Sequence, residues 1–170
     1  QVFDSRGNPT VEAEIILENG LIGRSIVPSG ASTGRYEAHE LRDKNKEYLN
    51  KSVFDAVNNI NSKISKSLIN KNSTDQRAID KILINLDGTD NKSNLGANAI
   101  LAVSIANLKV SAKLENKEIY KYLKYKTNPI FSMPFPLMNI INGGAHANNS
   151  LEIQEFMIRP DGANSFKECM

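Results

Sequence analysis

Two loops carry the side chains whose types and spacing suit chemistry. The first is Pro28-Ser29-Gly30-Ala31-Ser32-Thr33-Gly34-Arg35. Gly30 and Gly34 flank Ala31, Ser32 and Thr33. Glycine adopts backbone angles closed to other residues, so these two positions can act as hinges. The hydroxyl, N–H and C=O groups between them can meet a phosphate or a hard cation such as Mg²⁺. A plain connector from a hairpin to a helix explains the same composition. The second loop runs from Asn142 to Asn149 and holds His146, with Gln154 and Glu155 just beyond it. Imidazole titrates near neutral pH, so His146 can bind an anion or move a proton. Period-two alternation over 153–158 puts Gln154, Phe156 and Ile158 on one face and Ile153, Glu155 and Met157 on the other. Glu155 therefore shares a face with apolar side chains. Burying a carboxylate costs free energy unless it is paired, so Glu155 is either a catalytic or binding group or half of a structural ion pair.

Other candidates have plainer explanations. Gly30-Ala31-Ser32-Thr33-Gly34 fits the G-x-S-x-G spacing of a serine-hydrolase nucleophile elbow. The strand before it belongs to an antiparallel hairpin, and no acid–histidine arrangement follows. No Gly-Lys-Ser/Thr completes a P-loop. His39 is expected in a charged, solvated helical turn. Asp4, Arg6 and Asn8 can form a polar network. Asp87, Asp90 and Asn94 resemble scattered oxygen ligands but suit helix capping. Cys169 is expected to pack in a helix.

The elements that position these loops follow from hydrophobic period and turn chemistry. Val11, Ala13, Ile15 and Leu17 alternate with Thr10, Glu12 and Glu14, which predicts a half-buried strand over 10–18. Asn19-Gly20 is a hairpin turn because both residues tolerate positive φ, and Leu21 to Val27 is the returning strand. A short helix is predicted over Tyr36–Arg42. Val53, Val57, Ile60, Ile64 and Leu68 fall at helical spacing. Ser73 and Gln76 form a capping box for a helix that ends at Asp87-Gly88. Ala97 to Lys113 suits a buried central helix, and Glu118 to Tyr125 a short last one. Strands followed by helices favour an α+β domain. Prolines 129, 134 and 136 punctuate a connector. Beyond it, 137–141 and 153–158 read as strands, and a helix begins near Ser165. The domains expected are 1–125 and 126–170.

The chain has 170 residues, 40% hydrophobic and 24% charged, with net charge +2. That balance does not point to a nucleic-acid or membrane partner. Residues 44–126 hold fifteen basic and eight acidic side chains, but these lysines are interleaved with acids and apolar residues, as on a solvated helical face. One cysteine excludes an intrachain disulfide framework and a Cys-rich zinc site. No run approaches the ~18 apolar residues of a membrane span. With no signal-peptide pattern, a cytoplasmic setting is the expectation. Gln1 opens directly on a structured-looking motif and Met170 falls inside an expected helix, so the sequence is expected to be a piece of a longer protein.

Four strings in order, FDSRGNPTVE (3–12), VPSGASTGRYEAHELRD (27–43), LDGTDNKSNLGANAILAVS (86–104) and NIINGGAHANNSLEIQEFMIRP (139–160), closely resemble the enolase (phosphopyruvate hydratase) family. The resemblance spans nearly the whole chain. It implies an α+β amino-terminal domain with a three-stranded antiparallel sheet. The truncated start of a β/α (TIM-like) barrel, with antiparallel opening strands, is implied to follow.

The implied reaction is reversible dehydration of 2-phospho-D-glycerate to phosphoenolpyruvate, with two Mg²⁺ sites. By the resemblance, Ser32 is the lid serine on the second Mg²⁺. Ala31 and Thr33 move with it, and Gly30 and Gly34 are the hinges. His146 lies near the substrate phosphate. Gln154 and Glu155 lie near the substrate hydroxyl and its leaving water, with Glu155 assisting acid catalysis. Arg35 receives no role. The family's lysine base, its principal acidic glutamate, its first-metal carboxylates and its arginine–serine phosphate pair are implied beyond Met170. The 170-residue piece is therefore expected to be inactive alone. A homodimer or higher homo-oligomer is implied. The competing readings are a non-catalytic interaction or dimerisation unit and, on the G-x-S-x-G spacing, a serine hydrolase. Nothing in these residues identifies a role at cell surfaces or in RNA-processing assemblies.

Overall fold

The computed structural model describes residues 1–30, 34–124 and 131–170. They fall into two compact units, one of residues 1–30 and 34–124 and one of residues 131–170. The boundary expected between 125 and 126 lies outside the described residues.

The first unit opens with an antiparallel sheet, in the order β1 (Val2–Phe3), β2 (Pro9–Ile16) and β3 (Ile22–Val27). Val11 pairs with Val27 and Ile16 with Ile22. Val11 and Ala13 are buried while Glu14 faces solvent, where its carboxylate accepts from Arg24 Nε across the strands at 2.7 Å. Thr10 breaks the expected alternation: it is fully buried, and its hydroxyl donates to the Val27 carbonyl. The turn also differs in detail. Leu17 N donates to Leu21 O and Gly20 N to Leu17 O, which closes a three-residue loop. Of the Asn19-Gly20 pair only Gly20 takes positive φ, +83°. That is a type I turn closed by a left-handed residue rather than a two-residue hairpin loop.

Residues 36–42 are not helical. The backbone groups of His39 and Leu41 are taken by the approach to α4 (Ala97–Leu114) and its first turn. His39 N donates to Asn91 O, Ala97 N donates to His39 O, and the Asn98 amide accepts from Leu41 N and donates to Leu41 O. A segment whose backbone groups are satisfied from outside has no need of its own helical ladder. His39 is exposed, as expected, but in this non-helical segment.

The helix expected from the Val53–Leu68 stripe is present in three continuous pieces. They are α1 (Phe54–Asn59), a π stretch (Ile60–Ile64) and α2 (Ser65–Leu68). Asp43, distant in sequence, caps it: its carboxylate accepts from Phe54 N and Asp55 N, each at 2.9 Å. The next helix, α3 (Gln76–Asp87), is capped by Asp75, which accepts from Ala78 N at 3.1 Å. Ser73 is not the cap. It is buried, and its carbonyl accepts from Asn107 Nδ2 and Ser111 Oγ. Helix α5 (Ile119–Lys124) completes the unit.

The core lies between the sheet and α4. Val11 and Ala13 meet Ala99, Ala102 and Val103, and Val53, Ala56, Ile64, Ile79, Leu83 and Leu95 extend the cluster. Alanines on α4 let its backbone come close to β3. A Cβ on Gly23 would stand 2.7 Å from both Cβ and N of Val110, so glycine is what permits this approach.

The second unit pairs β4 (Met138–Asn142) and β5 (Glu155–Ile158) antiparallel, with a register shift between Asn139 and Ile141. A 3₁₀ turn (Gly144–His146) follows β4. Helix α6 (Phe166–Cys169) follows β5 and is capped by Ser165 Oγ. Cys169 is buried in it. Leu137, Ile140 and Ile158 leave more than half their surface exposed. No described helix is long and apolar enough to cross a membrane.

Candidate active site

The site residues of the second unit come from one short loop folded back on itself. Asn142 and Glu155 are register partners at the loop end of the β4–β5 pair. Past that end, Gly143 N donates to Gln154 O at 2.9 Å and Gly144 N to Leu151 O at 2.7 Å. Asn149 bridges the loop: its Nδ2 donates to Asn142 O at 2.9 Å, and its Oδ1 accepts from Leu151 N at 3.0 Å. The 3₁₀ turn then aims the His146 ring back over the start of β5.

His146 Nδ1 lies 2.8 Å from Glu155 Oε1, and His146 Nε2 lies 3.0 Å from Gln154 Nε2. An ionised carboxylate only accepts, so Nδ1 carries the proton of the first bond. A side-chain amide nitrogen only donates, so Nε2 accepts in the second. The contacts therefore fit the Nδ1–H tautomer. The His146 and Glu155 side chains keep 25% and 29% of their surface exposed. A ligand can thus still reach them, while both are shielded more than a free surface pair.

This arrangement corrects the alternation argument. Strict period two separates Gln154 from Glu155 onto opposite faces. Residues 153–154 form a bend and the strand begins only at Glu155, so both side chains reach one imidazole. Glu155 is paired with His146 rather than set among apolar neighbours.

Ala31, Ser32 and Thr33 lie outside the described residues. Beside them, a tethering cluster that was not singled out from the sequence holds the loop's entry. Ser29 Oγ donates to Glu40 Oε1 at 2.6 Å. Arg42 Nη2 donates to Glu40 Oε1 at 2.8 Å and also to Ser29 Oγ. Arg42 Nη1 donates to the carbonyls of Pro9 and Lys51. The spacing of Ser29, Glu40 and Arg42 gives no local signal, because the contacts depend on the non-helical course of 36–42. Gly34 accepts from Glu37 N at 3.2 Å.

Asp87 organises a loop. Its carboxylate accepts from Leu95 N at 2.7 Å, Asn94 N at 3.1 Å, Thr89 N at 3.0 Å and the Thr89 hydroxyl. Burial pushes this carboxyl up, but the Thr89 hydroxyl and the three amides outweigh burial and hold it below its ordinary value. Asp43 behaves alike: burial raises it, and the Asp55 amide, Ser52 hydroxyl and Phe54 amide bring it below normal. Asp4 accepts from Asn8 N and Arg6 N, so the expected network around Asp4, Arg6 and Asn8 is a backbone turn. The Asn8 amide is the main cause of its lowered pKa. Among the described residues no group of three or more His, Cys, Asp or Glu side chains is gathered to hold a metal ion. A cavity of about 870 Å³ in the first unit is lined by Ile15, Ile60, Ile64 and Leu68 and by none of the candidate site residues.

Residues 1–123 match the family described as Enolase, N-terminal domain. The chain belongs to the enolase family. Residues 130–170 match the Enolase, C-terminal TIM barrel domain. The enolase fold expected from the sequence is therefore correct: an α+β amino-terminal domain, then the start of the barrel domain, with no closed barrel among the described residues. The enolase of Pelagibacter ubique (strain HTCC1062) is 63% identical over 171 residues, covering 100% of this chain and 40% of the relative. The enolases of Methanococcus maripaludis and Corynebacterium kroppenstedtii are 55% and 52% identical, each over 100% of this chain and 39% of its own length. The chain thus spans about two fifths of the length of the curated relatives it matches.

Proposed function

We propose that the whole protein is a phosphopyruvate hydratase, a lyase of glycolysis and gluconeogenesis that interconverts 2-phospho-D-glycerate and phosphoenolpyruvate. The observation that carries this reading is the chain of contacts Gln154–His146–Glu155, in a member of the enolase family. Loss of water from a β-hydroxy acid needs a proton delivered to the departing hydroxyl. Glu155 holds or passes that proton through Oε2, since its Oε1 accepts from His146 Nδ1–H. Gln154 and His146 bind and orient the substrate, His146 beside its phosphate.

Among the described residues no group of three or more His, Cys, Asp or Glu side chains is gathered to hold a metal ion. Mg²⁺ remains part of the proposal, with two sites in the whole protein and Ser32 as the ligand this chain gives to the second. There the ion would offset the negative charge that builds when the proton beside a carboxylate is lost. Gly30 and Gly34 are proposed as hinges for a lid carrying Ala31 and Ser32. A boundary between 125 and 126, a homodimeric or larger assembly and a cytoplasmic location complete the proposal.

Turnover of 2-phosphoglycerate by the whole protein, followed as enol absorbance, tests it. Wild-type turnover should depend on Mg²⁺, and Glu155→Gln should lower kcat on the order of 10²–10⁴-fold, the usual scale of general acid–base catalysis. Residues 1–170 alone should give none. Wild-type kcat in Glu155→Gln removes Glu155 from the reaction, and no turnover by the wild-type protein rejects the function.

A further inference from the structure

We propose that Gly143 and Asn149 are positioning residues: together they form the clasp that keeps His146 within hydrogen-bond reach of both Glu155 and Gln154. This rests on the reading of those three side chains as part of the site proposed above.

The ring of His146 reaches β5 only through the way the loop between the two strands is folded back. The pair β4–β5 ends at Asn142 and Glu155, and the loop beyond must double back to bring residue 146 beside residues 154 and 155. Gly143 permits that return. A Cβ there would stand 2.6 Å from Leu151 Cβ and 2.7 Å from Leu151 O, and would strike the carbonyl oxygen of Ile153 as well. Two of those three obstacles are backbone atoms, which cannot swing aside as a side-chain tip can. Relief must come from moving 151–154 away from 143–144. That motion breaks Gly143 N to Gln154 O and Gly144 N to Leu151 O, and it carries Gln154 and Glu155 away from the imidazole.

Asn149 works from the other side of the loop. Its side-chain amide ties Asn142 O to Leu151 N, so it joins the end of β4 to the segment that leads through Gln154 into β5. His146 is tied to Gly143 directly, its N donating to Gly143 O at 3.0 Å. A shift at Gly143 is therefore passed to the ring within three residues. Gly162, in the turn after β5, is the internal comparison: a Cβ there meets nothing within 4 Å.

The test uses the whole protein with ¹⁵N-labelled histidine. NMR reads the Nδ1 and Nε2 shifts of His146, and kcat is measured in parallel. In wild type, Nδ1 should show a protonated, strongly hydrogen-bonded signal and Nε2 an accepting one. Gly143→Ala should abolish that pattern and lower kcat on the order of 10²-fold, the scale of an ångström-sized misplacement. Asn149→Ala should move the same signals in the same direction by less. It also decides the matter if Gly143→Ala does not fold. Gly162→Ala should change neither readout. A wild-type imidazole pattern in folded Gly143→Ala, or in Asn149→Ala when the first variant is unfolded, overturns the clasp. An altered pattern with wild-type kcat overturns its positioning role. If His146→Ala keeps full turnover, the site reading fails by itself, and the imidazole shifts still report whether the clasp exists.

Discussion

The backbone amide of Leu95 donates to the buried carboxylate of Asp87 at 2.7 Å. The last residue of α3 thereby fixes the loop from which α4 starts, and α4 carries much of the core. A buried charge with four donors is stable as a set and costly to dismantle.

Asp87→Asn keeps the size but replaces half of the acceptor by a donor that faces amide N–H groups. Hydrogen bonds to a charged group contribute about 1.5–3 kcal/mol each and leave unsatisfied donors when lost. The expected loss of stability is about 3 kcal/mol, read as a lower urea midpoint. A midpoint within error of wild type would show that the loop holds without the carboxylate.

Acid sensitivity follows from the same group and from Asp43. Both carboxyls sit below the ordinary value of 3.8 in the folded chain. Their stabilising contribution is complete above that unfolded value and is lost as pH falls through the lower folded values. The contribution of these two groups to the urea midpoint should therefore be full and constant between pH 7 and about pH 5, then fall away below about pH 4. Asp43→Asn and Asp87→Asn should each flatten that acid limb. An unchanged limb in both variants assigns it to other groups.

Gly23→Ala tests the approach of α4 to β3. The added methyl has no room beside Val110. Overpacking of this kind costs about 1–3 kcal/mol, measurable by thermal or urea unfolding. A neutral substitution would mean that α4 can withdraw freely.

Ser32→Ala in the whole protein addresses the lid. Under the proposed role it weakens the effect of the second Mg²⁺, so the metal-dependence curve of turnover should shift to higher Mg²⁺. An unchanged Mg²⁺ dependence counts against Ser32 as a ligand.

Periodicity made the sheet and the long helices legible, because Val11 and Ala13 on β2 and the alanines of α4 must face a core. It failed where distant groups took over the backbone. Residues 36–42 have helix-compatible composition, but His39 and Leu41 spend their amides and carbonyls on Asn91, Ala97 and Asn98. Asp43 capping α1 and Asp75 displacing Ser73 as a cap are of the same kind: a cap is chosen by where the chain runs. In the site, residue types pointed to His146, Gln154 and Glu155, but the bend at 153–154 that unites them is invisible to a period-two pattern. Gly143 was legible only as part of a glycine pair. Its role depends on which carbonyl lies opposite.

His146, Gln154 and Glu155 sit on a single hairpin that closes over fewer than twenty residues. A hairpin forms in about 1–10 μs, whereas a ribosome adds about 5–20 residues each second. As this segment emerges during translation, its strands can meet and part thousands of times before the next residue is joined. The hairpin can thus rehearse its own geometry early in synthesis.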